Sequence, residues 1–492
     1  DSHIADLDAR PPSAAEGRKG VMYMAKRIPY IEIRAYNKGV TGSSIRNTVH
    51  FSDGNIFRYL VDHGMYQGEG HTGIEYNDSV SPEKINAILL THTHLDHDGA
   101  LPIFVRHGYD KKIYMSEASA SVIDIGLQDS FNIMRRDAKL KHRPILFAEK
   151  DIDQTLSQIE SVKYEESVKI HSNITITFFN NGHLMGASSI LVQIDDPMGM
   201  INLLYTGDYK PNNPFVDIKP FPSWVYALTN LTIISESTYG STNSEDIEQP
   251  WEDDIIEACQ RNQLIFNCAF GQGRAQELML RIRKLQDAGK IPKDYPVKID
   301  GKTTIAYTFR YLDRCNILKI KEDSLNFLPY NIQFVDDKSR PAMLNINSRA
   351  IFISTSGMGS NGPAATYIPH FLSNSNALIY IPGYAAEGTL ARKIIETDYG
   401  DVIEFKDGSS TPKYAEVKWT GQFSSHAPAD ELIKFYSMFC PLSILFTHGE
   451  PETKKILEER TRKELGIKKT GVLGMGLVYR INPYGIDKAI EK

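Results

Sequence analysis

Two hydrophobic patterns alternate along this chain. Short runs of β-branched and other apolar residues end in Gly, Asp or His, which predicts buried or half-buried strands. Between some of these runs, apolar residues recur at helical spacing, which predicts amphipathic helices. Strands interleaved with helices indicate an α/β protein. The predicted strands are residues 59–62, 85–90, 174–179, 190–194, 201–205, 231–234, 351–354, 377–381 and 443–446, and the predicted helices are residues 118–140, 250–260, 276–288 and 430–439.

The composition excludes several classes of protein. Of 492 residues, 41% are hydrophobic and 24% are charged, which is ordinary for a globular protein. The 25 Tyr and 21 Phe exclude disorder as the main state. Because no apolar run approaches the roughly 18 residues that span a bilayer, we expect no membrane partner. The net charge of −6 means that any binding of nucleic acid must come from a local patch or from bound cations.

The cysteines and the first residues bear on location. Cys259, Cys268, Cys315 and Cys440 form no CxxC pair, so we expect free, mostly buried thiols in a reducing cytoplasm. Residues 1–23 are polar and lack the apolar stretch of a secretory signal. We interpret them as a leader or an expression remnant.

The densest chemical signal is HTHLDH at residues 92–97, directly after the predicted strand 85–90. Residues at i and i+2 of an extended segment point the same way, so His92 and His94 can share one cavity. Three imidazoles and a carboxylate suit a divalent metal such as zinc. Without a metal, burying this cluster would be hard to justify energetically.

Three further predicted strands end in one ligand-type residue beside a glycine. These are His183 after Gly182, Asp208 after Gly207, and His448 before Gly449. A lone residue of this kind is more often simply hydrogen-bonded, but together with the histidine run they complete a set. Seven donors suit two metals that share one carboxylate and a bridging water: His92, His94, Asp96, His97, His183, Asp208 and His448.

This order of motifs resembles the metallo-β-lactamase superfamily. Asp62, in the run LVDHGMYQG at residues 60–68, matches the first motif of that family. The resemblance implies that Asp62 orients the metal ligands through hydrogen bonds, while His63 is interpreted as structural. It further implies that His92, His94 and His183 hold one zinc, that Asp96, His97 and His448 hold the second, and that Asp208 bridges the two.

The 240 residues between Asp208 and His448 indicate an insertion, and the flanking motifs resemble one branch of the superfamily. The runs SESTYG at 235–240, FSSHA at 423–427 and THGE at 447–450 are similar to motifs A, B and C of the β-CASP nucleases. Further stretches that resemble the β-CASP domain are residues 270–278, 356–358, 362–363 and 383–389.

The resemblance implies a fold. We expect an αββα metallo-β-lactamase sandwich from residues 24–240 and 413–492, with an inserted parallel-sheet α/β domain at 241–412. The active site would lie in the cleft between them, which admits a single strand more easily than a duplex. The 44 residues after His448 are expected to finish the sandwich, without room for the C-terminal domain of ribonuclease J.

The motifs also distinguish between nucleic acids. Motif C is His448, the form of the RNA-processing members, whereas the DNA-repair branch typically carries Val. The Glu236 form of motif A is closer to the mRNA 3′-end cleavage subunit and its compact bacterial and archaeal relatives than to ribonuclease J. A zinc-dependent ribonuclease acting on single-stranded RNA, as an endonuclease, a 5′-to-3′ exonuclease or both, is therefore the leading hypothesis.

The chemistry expected of this enzyme uses two Zn²⁺, with Mn²⁺ as an alternative. Water bridging the metals has its pKa lowered toward about 7 and supplies hydroxide. By resemblance, His426 protonates the leaving oxygen, and Glu236 fixes its tautomer and raises its basicity. The expected catalytic residues are thus Asp62, Asp96, Glu236 and His426, and a homodimer is also expected.

Substrate contacts are expected from residues around the cleft. Ser424 and Ser425, at a predicted helix start, could bind a phosphate, although plain N-capping explains them nearly as well. Arg274, Arg392, Ser356 and Gly357 lie in the segments that resemble the β-CASP domain. Two basic runs, from Arg135 to Arg143 and from Lys454 to Lys469, offer RNA contacts or merely solvated faces.

Three alternatives stay open at this stage: a DNA nuclease of the same architecture, a small-molecule metallo-hydrolase, and an RNA-binding scaffold that lost catalysis. Scaffold members usually lose ligands, whereas all seven are present here. A small-molecule enzyme would need neither the long insertion nor the pair of Glu236 and His426.

Overall fold

The computed structural model describes residues 27–67, 75–383, 385, 388–405, 407–474 and 476–491. The leader at 1–23, Gly68 of the first motif, and Tyr384 and Glu387 of the 383–389 stretch lie outside the described residues.

The first layer is an eight-stranded sheet with the strand order β25-β24-β1-β2-β3-β6-β7-β8. Its strands alternate between faces: in β1, Ile31, Ile33 and Ala35 are fully buried while the residues between them are half-exposed. Strands from the two ends of the chain meet here, since β1 pairs with β24. The strands are β1 (Tyr30–Ala35), β2 (Ile45–His50), β3 (Ile56–Val61), β6 (Ala87–Leu89), β7 (Ile113–Ser116), β8 (Ile159–Val162), β24 (Leu477–Asn482) and β25 (Gly485–Glu491).

The second layer is a seven-stranded sheet with the order β23-β22-β13-β12-β11-β10-β9. Its core face packs on the first sheet through residues such as Ile176, Val192 and Leu203, which join Ile33 and Val49 in one buried cluster. The strands are β9 (Ser167–His171), β10 (Ile174–Asn180), β11 (Ser188–Asp196), β12 (Gly199–Tyr205), β13 (Leu231–Ser235), β22 (Ser443–Phe446) and β23 (Lys469–Val472).

Helices cover the outer face of each sheet. Leu127 and Phe104 pack over the first sheet, and Phe435 and Leu457 pack over the second. The result is the predicted αββα sandwich, whose apolar faces are buried on both sides. The covering helices are α1 (Leu95–Asp98), α2 (Leu101–Arg106), α3 (Glu117–Ala120), α4 (Ile123–Lys141), α5 (Glu149–Ser157), α6 (Ser223–Tyr226), α14 (Ala429–Ser437) and α15 (Pro451–Leu465).

The inserted part is built on a six-stranded sheet with the order β16-β15-β17-β14-β18-β21, in which every pairing is parallel. Its central strand β14 is buried along its whole length, as expected for a parallel strand covered on both faces. The predicted inserted parallel-sheet domain is thus confirmed. Its strands are β14 (Leu264–Cys268), β15 (Val297–Asp300), β16 (Ile332–Val335), β17 (Ala350–Ser354), β18 (Ala377–Pro382) and β21 (Glu416–Thr420).

The remaining elements complete the insertion and the loops. The sheet is covered by α7 (Trp251–Gln260), α8 (Arg274–Asp287), α9 (Lys302–Asp313), α10 (Cys315–Leu318), α11 (Arg340–Met343), α12 (Ala364–Leu372) and α13 (Leu390–Glu396). Two hairpins, β4 (Met65–Tyr66) with β5 (Glu75–Tyr76) and β19 (Val402–Glu404) with β20 (Ser410–Pro412), and three 3₁₀ turns, Pro82–Lys84, Ser244–Asp246 and Glu322–Ser324, make up the rest.

The insertion is firmly attached to the sandwich. Val122 and Phe215 from the sandwich share one buried apolar cluster with Tyr311 and Ile299 from the insertion. Strand β21 is hydrogen-bonded to β18 and so belongs to the parallel sheet. It ends at Thr420, eight residues past the expected end of that domain at 412. The domain bounds themselves stay a prediction.

Two further sequence expectations concern the whole chain. Cys259 and Cys268 are buried free thiols, whereas Cys315 is half-buried and Cys440 is exposed. Among the described residues, no helix is long and apolar enough to cross a membrane.

Candidate metal centre and active site

The predicted metal donors come from the ends of four strands in the two sandwich sheets. His92 and His94 follow β6, and α1 begins immediately afterwards with Asp96 in its first turn. His183, Asp208 and His448 follow β10, β12 and β22. Positive φ angles at Gly182 (78°) and Gly207 (58°) let the chain turn sharply beside two of these donors.

One group of donors consists of His92, His94, His183 and Asp208, whose ligand atoms lie within 4.8 Å of one another. Nδ1 of His94 is 3.2 Å from Nε2 of both His92 and His183. Oδ2 of Asp208 is 3.5 Å from Nε2 of His92 and 3.6 Å from Nε2 of His183. These atoms surround a space suited to one cation.

A second group consists of Asp96, His97 and His448. Nε2 of His97 is 3.3 Å from Nε2 of His448, and 3.8 Å from Oδ2 of Asp96. Asp208 also reaches this group, with Oδ2 3.4 Å from Nε2 of His97 and Oδ1 3.3 Å from Nδ1 of His448. The structure therefore brings all seven predicted donors together, with Asp208 in contact with both groups.

The protonation preferences of four of these side chains fit metal binding. His97 differs, because burial works to lower its pKa but Asp208 and Asp62 raise it well above the usual value. Burial lowers the pKa of His94 to about 4 and holds those of His92 and His183 well below their usual value. They therefore offer neutral imidazole nitrogens, the form that coordinates a metal. Burial would raise the pKa of Asp96, but His97 and His448 lower it to about 2, so this donor is a carboxylate.

Asp62 is hydrogen-bonded to residues of the predicted metal centre. It accepts hydrogen bonds from the backbone N–H of Thr91 (2.8 Å), from the Thr91 hydroxyl (2.9 Å) and from Nδ1 of His97 (2.7 Å). Because Nδ1 of His97 donates to this carboxylate, Nε2 is left to face the metal space. His63 is fully buried against Phe104, and burial lowers its pKa to about 4, in keeping with a structural role.

Two threonines that the sequence analysis did not single out also hold ligands. The Thr91 hydroxyl lies 3.0 Å from Nδ1 of His92 as well as contacting Asp62. The Thr238 hydroxyl lies 3.1 Å from Nδ1 of His448. Thr238 falls within the SESTYG run and Thr91 directly precedes HTHLDH, so their position beside motifs was the only available signal.

Glu236 and His426 form a pair at the edge of the metal centre. Oε2 of Glu236 accepts a hydrogen bond of 2.8 Å from Nδ1 of His426, and Oε1 accepts one of 2.5 Å from the backbone N–H of Tyr209. Burial works to lower the pKa of His426, but the carboxylates of Glu236 and Asp208 raise it, and the net shift is upward. The Glu236 side chain is only 1% exposed while that of His426 is 19% exposed, so the imidazole faces the cleft.

The two serines before His426 each accept a hydrogen bond through the backbone carbonyl. The Ser424 carbonyl accepts a hydrogen bond from the ammonium of Lys210, and the Ser425 carbonyl accepts one of 2.7 Å from Nδ1 of His183. The Ser424 hydroxyl accepts from the backbone N–H of His426 (3.1 Å). Substrate contacts of Ser424 and Ser425 stay a prediction.

The other predicted substrate residues lie at the carboxyl ends of the parallel strands. Arg274, at the start of α8, is nearly buried and donates to the Pro382 carbonyl, while its Nε has no hydrogen-bond partner among the described residues. Gly357 lies so close to the Phe270 ring that a Cβ atom there would come within 2.9 Å of it. The buried Ser356 hydroxyl likewise finds no partner within the described part of the chain.

This edge of the parallel sheet reaches the metal centre directly. Gln272, two residues before Arg274, donates a hydrogen bond of 2.9 Å to the Thr93 hydroxyl, between His92 and His94. Segments that follow strands of the sandwich and of the insertion therefore meet beside the metal donors, and the cleft between the two parts stays a prediction.

Several of the remaining basic residues are paired with acids. Arg392 bonds to Glu396 within α13. In the first basic run, Arg136, Lys141 and Arg143 surround Asp137. In the second, Lys454 is buried and donates to the Leu473 carbonyl, so it does not lie on a solvated face.

Histidines and aspartates gathered at the strand ends of an αββα sandwich define a metal-dependent hydrolase of the metallo-β-lactamase class. Family models agree with this assignment: the metallo-beta-lactamase superfamily domain matches residues 51–212 and the Beta-Casp domain matches 275–394. A third model, the Zn-dependent metallo-hydrolase RNA specificity domain, matches 411–470. The chain belongs to the β-CASP group of this superfamily.

Curated proteins similar to the chain include two from an archaeon and one from a plant. The RNase J-like protein of Methanocaldococcus jannaschii is 30% identical over 403 residues, which cover 80% of this chain and 87% of that protein. The transcription termination factor FttA of the same organism is also 30% identical, over 80% of this chain but only 63% of its own length. The cleavage and polyadenylation specificity factor subunit 3-I of Arabidopsis thaliana is 25% identical over 82% of this chain and 57% of its own length.

Proposed function

We propose that this protein hydrolyses phosphodiester bonds of single-stranded RNA, with two zinc ions at the seven donors and His426 as the general acid. The observation that carries the proposal is the hydrogen-bonded pair of Glu236 and His426. Its ligand atoms lie within 4.8 Å of those of Asp208 and His448, while the seven donors already form the two other groups without the pair. A metal-binding scaffold has no use for such a pair, whereas phosphodiester cleavage needs a proton for the leaving oxygen.

The protein side chains have distinct tasks in this proposal. His92, His94, His183, Asp96, His97, His448 and Asp208 would hold the metals, and Asp62 orients His97 through its hydrogen bond of 2.7 Å. When bound, the metal ions would activate a water molecule and neutralise charge on the phosphate.

His426 is prepared for proton donation. Nδ1 donates to Glu236, so Nε2 is the nitrogen that faces the cleft and can carry the transferred proton. The carboxylate stabilises the imidazolium, which keeps His426 protonated to a higher pH than a lone histidine. The proton would pass from Nε2 of His426 to the departing ribose oxygen.

RNA as substrate is supported by the match to the RNA specificity domain, by His448 in motif C and by the similarity to the RNase J-like protein. Because the chain spans only 63% of the length of FttA, the activity of that whole protein is not transferred to this one. A cytoplasmic location and a homodimer are retained as predictions.

The test is to incubate the zinc-loaded protein with labelled single-stranded RNA, with DNA of the same sequence, and with RNA carrying a 5′-monophosphate or a 5′-triphosphate. We expect cleavage of RNA and little cleavage of DNA. Product ladders will separate internal cuts from stepwise 5′-to-3′ removal of nucleotides. Faster cleavage of DNA than of RNA would refute the proposed substrate.

A further inference from the structure

Three consecutive residues after β21 bond, one after another, to the sandwich side of the cleft. Ser424 accepts from the ammonium of Lys210. Ser425 accepts from Nδ1 of His183 (2.7 Å), and His426 donates from Nδ1 to Glu236 (2.8 Å). We call residues 424–426 the tether segment, because they tie the last strand of the parallel sheet to the metal centre.

The contact of Ser425 with His183 has a chemical consequence. A carbonyl oxygen can only accept a hydrogen bond, so Nδ1 of His183 must carry the proton. The lone pair is then on Nε2, which lies 3.2 Å from Nδ1 of His94 and 3.6 Å from Oδ2 of Asp208. The tether segment thus selects the tautomer in which His183 can serve as a metal ligand.

Lys210 is the side chain that holds the tether segment from the opposite side. It follows Asp208 by two residues, and its own backbone N–H donates to the carbonyl of Asn181 (3.0 Å), two residues before His183. Its ammonium then crosses to the Ser424 carbonyl, one peptide unit before the carbonyl that contacts His183. Ser424 in turn binds the backbone N–H of His426 through its hydroxyl.

We propose that Lys210 is a positioning residue that fixes, through the tether segment, both the ligand orientation of His183 and the placement of His426. The Lys210 ammonium would thereby couple metal binding at the group that contains His183 to the position of His426 as proton donor. The part concerning His426 rests on the proposed function, whereas the part concerning His183 depends only on metal binding.

The chain offers a matched control for an ordinary structural lysine. Lys413 is 8% exposed and its ammonium also donates to a backbone carbonyl, that of Thr397. Thr397 directly follows α13, and Lys413 directly follows β20. Losing this bond removes the same type of interaction without touching the tether segment.

The experiment uses the full chain and compares Lys210→Met, Lys210→Arg and Lys413→Met with the wild type. The metal is stripped, and zinc affinity is measured by competition with a chromophoric chelator. Cleavage of labelled single-stranded RNA gives kcat and KM for the reloaded proteins, and thermal unfolding reports the fold.

We expect Lys210→Met to bind one of two zinc equivalents about tenfold more weakly, at the lower end of the range for lost support of a metal ligand. Its kcat should fall with little change in KM, and Lys210→Arg should restore most of both quantities because it can still donate to Ser424. Lys413→Met should keep wild-type zinc affinity and kcat.

Several results would overturn the proposal. Wild-type zinc affinity in Lys210→Met would show that the tether segment does not depend on this lysine, and equal weakening in Lys413→Met would show a general loss of stability. If Lys210→Met does not fold, Lys210→Ala, which also lacks a donor, replaces it, and zinc affinity equal to that of the wild type would again overturn the proposal. If the wild type cleaves no RNA, the proposed function fails, but the zinc comparison still decides the role of Lys210.

Discussion

The two walls of the cleft are built differently. On the sandwich wall, charged and imidazole side chains contact one another, and further side chains or carbonyls hold them: Asp62 binds His97, and Thr238 contacts His448. On the parallel-sheet wall, Arg274 bonds to a backbone carbonyl, and Gly357 makes room for an aromatic ring.

The sandwich wall carries the chemically active groups, whereas the parallel-sheet wall determines the shape of the cleft. A wall made of mutually dependent charges loses its function when one member is removed, because the others are left buried without compensation. A wall made of backbone and packing contacts changes its affinity in smaller steps. We therefore expect the effects of substitution to decrease from the bridging carboxylate, through the acid, to the opposite wall.

The largest effect is expected for Asp208→Ala. Asp208 contacts both donor groups, so its loss should abolish cleavage and lower the zinc content more than the loss of any other ligand. Metal analysis by mass spectrometry measures the zinc content. Asp195→Ala, an exposed aspartate on the second sandwich sheet, is the control and should retain zinc and activity. Two zinc ions per chain in Asp208→Ala would contradict the bridging role.

His426→Ala should come second, with cleavage reduced by roughly 10²–10⁴, the usual range for a lost general acid. Both zinc ions should remain and RNA should still bind, because His426 is not among the seven donors. Glu236→Gln should act in the same direction but less strongly. The double variant should be little worse than His426→Ala, since the two residues act as one unit.

A substrate with an activated aryl leaving group sharpens this test, because such a group departs without a proton. The loss caused by His426→Ala should shrink on that substrate. A variant that loses zinc, or that is slowed equally on both substrates, would instead assign His426 to metal binding or folding.

Arg274→Met tests the opposite wall. We expect KM for RNA to rise about tenfold, which corresponds to about 1.4 kcal/mol of binding free energy, with kcat nearly unchanged. Arg261→Met is the control, because Arg261 is an exposed residue paired with Glu257 of α7, and its KM should stay close to the wild-type value. An equal rise in both variants would indicate general electrostatic attraction rather than a contact of Arg274.

The smallest effect is expected for Gly357→Ala. The new methyl group would meet the Phe270 ring at 2.9 Å, but that ring is 41% exposed and can move outward. Stability should fall by about 1 kcal/mol in thermal unfolding, the low end for overpacking, with a small rise in KM. Gly474→Ala has no heavy atom within 4 Å of its new Cβ in the described part of the chain and should change neither. A loss of kcat in Gly357→Ala would place this glycine nearer the chemistry than we propose.

Local hydrophobic patterns predicted those strands and helices that depend on residues close to them in sequence. The apolar run at 351–354 is strand β17, Ala350–Ser354, and the helix predicted at 250–260 is α7, Trp251–Gln260. The helix predicted at 118–140 is wrong in one respect, because it is interrupted between α3 and α4. The Ser121 hydroxyl bonds back to the Ala118 carbonyl, and the Ser121 carbonyl accepts from Arg310 in the insertion, a distant contact that no local pattern contains.

The residues of the site also fall into two groups, those that the sequence could predict and those that it could not. The seven donors could be predicted because histidines and aspartates at strand ends are unusual and their order is a family signature. Thr91, Thr238 and Lys210 could not, since threonine and lysine are common and their roles depend on which residues the fold brings beside them. Gln272 reaches Thr93 across 179 residues of sequence, which explains why sequence alone did not indicate it.

The separation of the metal donors along the chain determines the order in which they are synthesised. His97 and His448 are in contact, yet they are 351 positions apart in sequence. At about 5–20 residues per second, a ribosome needs roughly 20–70 s to pass from one to the other. The six parallel strands pair only among themselves and end at Thr420, so the insertion can complete its sheet within that interval. His448, the last of the seven predicted donors, is synthesised afterwards, so a growing chain carries no complete set of donors before that point.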